Sequence, residues 1–217
     1  MSLPFALPQR ALNVLAIGCH SDDIEIGCGA TLLTLLRARQ DVQLTWVVLS
    51  AEGDRAAEAE ASAADFLVGA AGSQIVIHAF RDGYFPYAGA EVKDAFESLK
   101  RLPEPDLIFT HAGDDRHQDH RVASELTWNT FRRHMILEYE IPKYDDDVGN
   151  PSVFVPIADD LAARKIELLR THFASQGQKH WFDDELFLGL LRLRGMQANH
   201  PTRYAEAFYC RKLTLDL

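Results

Sequence analysis

Between residues 13 and about 141 the chain alternates short apolar runs with amphipathic stretches, and that alternation leaves few folds open. Residues 13–18 (NVLAIG) read as a buried strand. Residues 27–39 read as a helix, with Ile26, Ala30, Leu33 and Leu36 at helical spacing. Strands follow at 42–50, 74–79, 106–110 and 135–140, and helices at 54–68, 89–101 and 117–133. Repeated β-α units imply a parallel sheet with right-handed crossovers and helices on both faces. The expected fold is therefore α/β and Rossmann-like, a mostly parallel sheet in the order 3-2-1-4-5. A short C-terminal extension follows. It has a short strand at 153–155, helices at 159–174 and 183–194, and a late edge strand at 204–210. With 217 residues, no internal repeat and no long linker, one domain spanning 1–217 is expected.

Charge and cysteine usage narrow the function. Asp plus Glu number 32 against 22 Lys plus Arg, a formal net charge of −10. That balance argues against nucleic acid, which needs a cationic face to replace phosphate counterions, and against anionic membrane surfaces. Cys19, Cys28 and Cys210 form no disulfide framework, so a reducing, cytoplasmic location is expected. No apolar run approaches the roughly 18 residues of a membrane span. Residues 11–19 (ALNVLAIGC) are short for a signal segment, with Arg10 the one basic residue before them, and read as the first strand.

The chemistry gathers in two places. His20-Ser21-Asp22-Asp23 lies just past the first strand, and His111…Asp114-Asp115-Arg116-His117-Gln118-Asp119-His120 just past the fourth. In the order 3-2-1-4-5 these strands are neighbours at the point where strand order reverses, and ligands bind there. Imidazole nitrogens and carboxylate oxygens hold Zn²⁺ at about 2.0–2.2 Å, and a catalytic zinc keeps three protein ligands. His20 and Asp23 can point the same way, and one of His117 and His120 would complete a His-Asp-His set; spacing alone does not say which. Asp22, a spare carboxylate beside the metal, suits a general base. The bland alternative is that Asp22 or Asp23 caps the following helix.

Other residues carry weaker signals. Gly27-x-Gly29 faintly resembles a dinucleotide fingerprint, but two carboxylates precede it and would repel a pyrophosphate. Cys19 and Cys28 read as small core residues. His111 is a candidate for metal or substrate contact. His172 is a candidate for a substrate-side role, with helix packing as its alternative.

Taken together, HSDDIEIGCGATL (20–32), the Arg55-x-x-Glu58 pair, Asp82-Gly83, DRHQDH (115–120), NPSVFVPI (150–157), HFASQ (172–176) and YAEAF (204–208) give the chain a recognisable pattern. It resembles the PIG-L/LmbE-like family of metal-dependent de-N-acetylases from about residue 13 to residue 210. The resemblance implies that His20, Asp23 and His120 hold one zinc per chain, a place other divalent metals can take. It implies Asp22 as the general base, His117 as the histidine assisting the tetrahedral intermediate and leaving amine, and Asp119 as its orienting carboxylate. Arg55 and Asp82 match positions that contact the sugar or its aglycone. The implied activity is hydrolytic removal of the N-acetyl group from an N-acetylglucosamine-type sugar or glycoconjugate, through a zinc-activated water. The implied partner is a small amino-sugar conjugate, with no nucleic acid and no membrane; self-association is left open.

The chain departs from that pattern at Ser21, where relatives usually have Pro, and at Gly29-Ala30 in place of Gly-Gly. It departs again at Asp115, where some relatives place a Tyr. Two rival readings stand beside this one. A metal-dependent phosphoesterase would recruit Asp114, Asp115 and Asp119 for a second metal. A non-catalytic binding protein would keep the site as a relic.

Overall fold

Seven strands form one sheet in a computed structural model that describes residue 7 and residues 10–214. The expected domain span of 1–217 extends past the described residues at both ends. The first five strands are β1 (Leu12–His20), β2 (Val42–Ser50), β3 (Gly72–Ile77), β4 (Leu107–His111) and β5 (Met135–Tyr139). They are parallel in the order 3-2-1-4-5, as the β-α alternation predicts. The connecting helices are α1 (Asp23–Ala38), α2 (Asp54–Phe66), α3 (Gly89–Leu99) and α4 (Gln118–Thr130).

The central strands β1, β2 and β4 bury both faces, which is why they read as near-continuous apolar runs. Alternate residues go to opposite sides. Val14, Ala16, Trp46, Val48 and Phe109 pack with Ile24 of α1 and Phe66 of α2. Leu15, Ile17, Val47, Leu49 and Ile108 pack with Phe96 of α3 and Ala123 of α4.

Two expectations need correction. Helix α1 starts at Asp23, four residues earlier than predicted, where the Asp23 carboxylate, held well below the usual pKa range, suits the positive end of a helix. The glycines in its second turn serve packing. A Cβ on Gly27 would sit 2.1 Å from the Tyr139 ring and one on Gly29 2.7 Å from Phe66, so both permit close packing of α1. The second correction concerns the C-terminal strands. After β6 (Val153–Ile157) come α5 (Asp159–His172), α6 (Asp184–Ala198) and β7 (Tyr204–Tyr209). The late strand β7 is not an edge: it lies antiparallel between β5 and β6. The edge is β6, which carries Pro156, a residue with no N–H to give a further neighbour.

Candidate active site

Strands β1 and β4 are sheet neighbours and end at His20 and His111. They flank the point where strand order reverses from 2-1 to 4-5. After β1 the chain turns through Ser21 and Asp22 and enters α1. Asp23 Oδ2 accepts the His20 N–H at 2.6 Å, which folds the first helical residue back onto the strand end. That bond closes the turn without the fixed φ a proline would supply, consistent with Ser21 in its place. Helix α4 delivers His120 from its first turn.

Three donor atoms meet there. His20 Nδ1 lies 3.2 Å from His120 Nε2 and 3.3 Å from Asp23 Oδ2, and His120 Nε2 lies 3.5 Å from Asp23 Oδ2. Ligands at about 2.0–2.2 Å around a tetrahedral zinc stand about 3.3–3.6 Å apart. The trio fits such an ion, and His120 is backed in the way metal-binding imidazoles are. His120 Nδ1 lies 2.9 Å from Asp115 Oδ2. His20 Nε2 lies 3.0 Å from Asp82 Oδ1 and 3.5 Å from Asp119 Oδ2. Asp115 on the far nitrogen fixes the His120 ring so that Nε2 turns inward, while Asp82 and Asp119 stand at ion-pair distance from His20 Nε2 without a hydrogen bond.

A second, fully buried group of Cys19, Asp23, His111 and His120 offers a rival donor set. His111 stacks on His120, with ring centroids 3.9 Å apart. Its Nε2, however, accepts the Cys19 N–H at 3.0 Å, so that lone pair is already engaged.

Charge at the site follows from burial against carboxylates. Burial pushes His20 down, but Asp23, Asp119 and Asp82 outweigh it and raise its pKa well above the usual histidine range. Burial and the neighbouring His111 push His120 down to about 4, so it is neutral at pH 7 and ready to bind a cation. Burial would raise Asp23, yet His120, His111 and His20 hold it well below the usual carboxylate range. A metal held by this trio would displace a proton from His20. Apparent metal affinity should rise with pH through the neutral range, with release of about one proton per ion. Titration calorimetry in buffers of different ionisation enthalpy reads that proton directly; affinity independent of pH contradicts this account of the site.

Asp22 behaves differently from its neighbour. It occupies the capping position of α1, but its side chain makes no capping hydrogen bond. Oδ1 lies 3.3 Å from Arg55 Nη2. Oδ2 is buried and has no hydrogen-bond partner among the described residues. Burial raises its pKa, against the opposing pull of Arg55. A buried carboxylate oxygen with no hydrogen-bond partner among the described residues, one residue from the donor trio, is what a proton acceptor needs.

The remaining predicted residues are all near. His117 places its ring 4.9 Å from that of His20 and 4.5 Å from that of His120. Its Nδ1 accepts the Asp119 N–H, so the neutral ring carries its proton on Nε2. The Asp119 carboxylate is turned elsewhere. It accepts N–H bonds from Gly83 and Phe85 at 2.7 and 3.1 Å, pinning the loop that carries Asp82. Gly83 bends that loop with a φ of 78°. Arg55 also bonds Glu58 and Ser175. His172 bonds Asp65 at 2.9 Å, which is helix packing rather than a role at the site.

Sequence reasoning missed the role of Asp115, seen there as a departure from a pattern. Its Oδ1 accepts the His117 N–H while Oδ2 faces His120. The available signal was a carboxylate five residues before a ligand, at the start of the same turn.

A family model described as PIG-L, GlcNAc-PI de-N-acetylase, matches residues 15–131, which run from β1 to the end of α4 and hold both clusters. An uncharacterized deacetylase of Escherichia coli K12, YaiS, is 28% identical over 181 residues, 76% of this chain and 92% of its own. Among solved structures, N,N′-diacetylchitobiose deacetylase from Pyrococcus horikoshii superposes with a TM-score of 0.69 at 24% identity, over 91% of this chain and 83% of the other. GalB, the 4-carboxy-2-hydroxymuconate hydratase of Pseudomonas putida KT2440, superposes with a TM-score of 0.72 at 18% identity, over 95% and 99%. The two structures share the fold of this chain.

Proposed function

The chain belongs to the PIG-L family, GlcNAc-PI de-N-acetylase, and on that premise we propose that it hydrolyses the N-acetyl amide of an N-acetylglucosamine-type sugar or glycoconjugate. The observation that carries the reading is the set of three donor atoms 3.2–3.5 Å apart, with the buried, unpartnered Asp22 Oδ2 beside it. Because a hydratase shares the fold, the fold alone does not choose the reaction; the site must.

His20, Asp23 and His120 would hold a divalent ion, zinc by the nature of the donors. When bound, the ion supplies Lewis acidity, making water acidic near neutral pH and polarising a carbonyl. Asp22 accepts the proton of the attacking water, and burial, by raising its pKa, makes it the stronger base. Burial first of all keeps the His117 pKa low, so the ring is neutral. Its Nε2–H then serves as a donor to the developing oxyanion. A neutral His117 leaves protonated Asp22 to return the proton to the departing amine. Products are acetate and a free amine.

Two of the three carboxylates a phosphoesterase would recruit for a second metal are engaged, and the third, Asp114, is exposed. Asp115 serves His120, and Asp119 serves the Gly83 and Phe85 amides. This favours the amidase. All seven strands in one sheet support a single domain, and three free cysteines support a reducing, cytoplasmic compartment. Among the described residues no helix is long and apolar enough to cross a membrane. The test of substrate class is acetate release across a panel of N-acetylglucosamine conjugates of varied aglycone. Release from none of them, with simple N-acetyl amines cleaved instead, removes the sugar from the proposal.

Arg55 and Asp82 separate in this reading. Asp82 is 73% exposed at its side chain, and Asp119 still faces His20 without it. Asp82→Ala should raise KM about tenfold, the scale of one lost charged hydrogen bond, with little change in kcat. Arg55 touches the base itself. Arg55→Ala removes the larger of the two cationic pulls, Arg55 and His20, that oppose burial of Asp22, so the acidic limb of the kcat profile should move to higher pH. An unshifted limb with a raised KM would make Arg55 a substrate contact only.

A further inference from the structure

The loop after β5 reaches back to the turn that precedes α4. Lys143 Nζ lies 2.9 Å from Asp115 Oδ2, the atom that faces His120 Nδ1. The same ammonium bonds Asp147, whose Oδ2 also accepts the Arg116 N–H at 2.8 Å. The result is a continuous chain, Asp147–Lys143–Asp115–His120, that ends on an imidazole of the donor trio. It is buried throughout: side-chain exposure is 5%, 12%, 3% and 3% in that order.

A surface pair of this kind would matter little, but buried charges persist only when paired. Lys143 stands between two buried carboxylates. Without it they face each other uncompensated, and Asp115 can no longer keep both its charge and its place. His120 would then lose the acceptor that turns its Nε2 inward. We propose that Lys143 is a positioning residue for the metal site, fixing Asp115 and through it the aim of His120. The inference rests on the metal-site reading above and adds a residue lying 23 positions beyond the last ligand in the chain.

The test is zinc affinity, measured by competition with a chromogenic chelator on wild type, Lys143→Met, Lys143→Arg, Asp115→Asn and the double variant Lys143→Met/Asp115→Asn. Partners behind metal-bound histidines typically account for about 10–100-fold in affinity. Lys143→Met should lose that much, with KM unchanged and kcat restored by excess zinc, and Lys143→Arg should stay near wild type. Because both residues act through His120, the double variant should bind no worse than the weaker single variant. Folded Lys143→Met with wild-type zinc affinity overturns the proposal, as do losses that multiply in the double variant. If Lys143→Met does not fold, Lys143→Arg and Asp115→Asn still decide: Asp115→Asn with wild-type affinity overturns it. Wild type that binds no zinc in the same assay removes the metal reading itself, a result distinct from a zinc-binding wild type indifferent to Lys143.

Discussion

Asp22→Asn keeps its metal and loses about 10²–10⁴-fold in kcat, the span typical of a general acid–base residue. Asn has nearly the size and shape of Asp but cannot accept a proton. The side chain makes no capping bond, and its Oδ2 has no partner among the described residues, so little of the fold depends on its charge. Excess metal should not restore the activity. A pure capping role predicts instead a stability loss of about 1 kcal/mol with kcat intact. Metal content and kcat on the same preparation distinguish the two. If Asp22→Asn arrives without metal, the two neighbouring carboxylates have exchanged roles and the mechanism fails.

Asp23→Ala gives the opposite pattern. It removes one of three donor atoms and also the acceptor of the His20 N–H that closes the turn. Metal affinity should fall by more than about 100-fold, since residues merely backing a ligand account for 10–100-fold. Activity at ordinary metal concentration should vanish and return in part at high metal, because Asp22 and His117 remain. The pKa pattern supports the assignment. Three histidines hold Asp23 ionised, whereas burial pushes Asp22 toward its protonated form. Wild-type metal binding in Asp23→Ala would move the ion to another donor set.

The sheet order was legible because β1, β2 and β4 must be apolar on both faces, which leaves a strong pattern in a single sequence. The place of β7 was not. Glu206 in its middle reads as a solvent-facing residue of an edge strand. In the fold it is 4% exposed, paired with buried Lys165, and accepts the Ala30 and Thr31 N–H bonds. A buried ion pair of residues 41 positions apart leaves no local trace. The reason for the α1 glycines, the Tyr139 and Phe66 rings, also lies far along the chain.

The site divides in the same way. His20, Asp22, Asp23 and His120 stand in two short motifs at strand ends, and topology brings these together. The supports of the site come from elsewhere. The resemblance implied Asp119 as the orienting partner of His117, yet its carboxylate reaches the 83–85 loop. His111 gave only a lone histidine at a strand end, and its amide partner Cys19 is 92 positions away. Lys143 sits in the loop after β5, outside both motifs.

The most direct test of the central claim is acetate release from an N-acetylglucosamine conjugate by one preparation assayed as isolated, after exhaustive chelation, and after return of one equivalent of zinc. The proposed function predicts release by the first, loss in the second and recovery in the third. Full activity after chelation, in protein shown by elemental analysis to hold no metal, would contradict it.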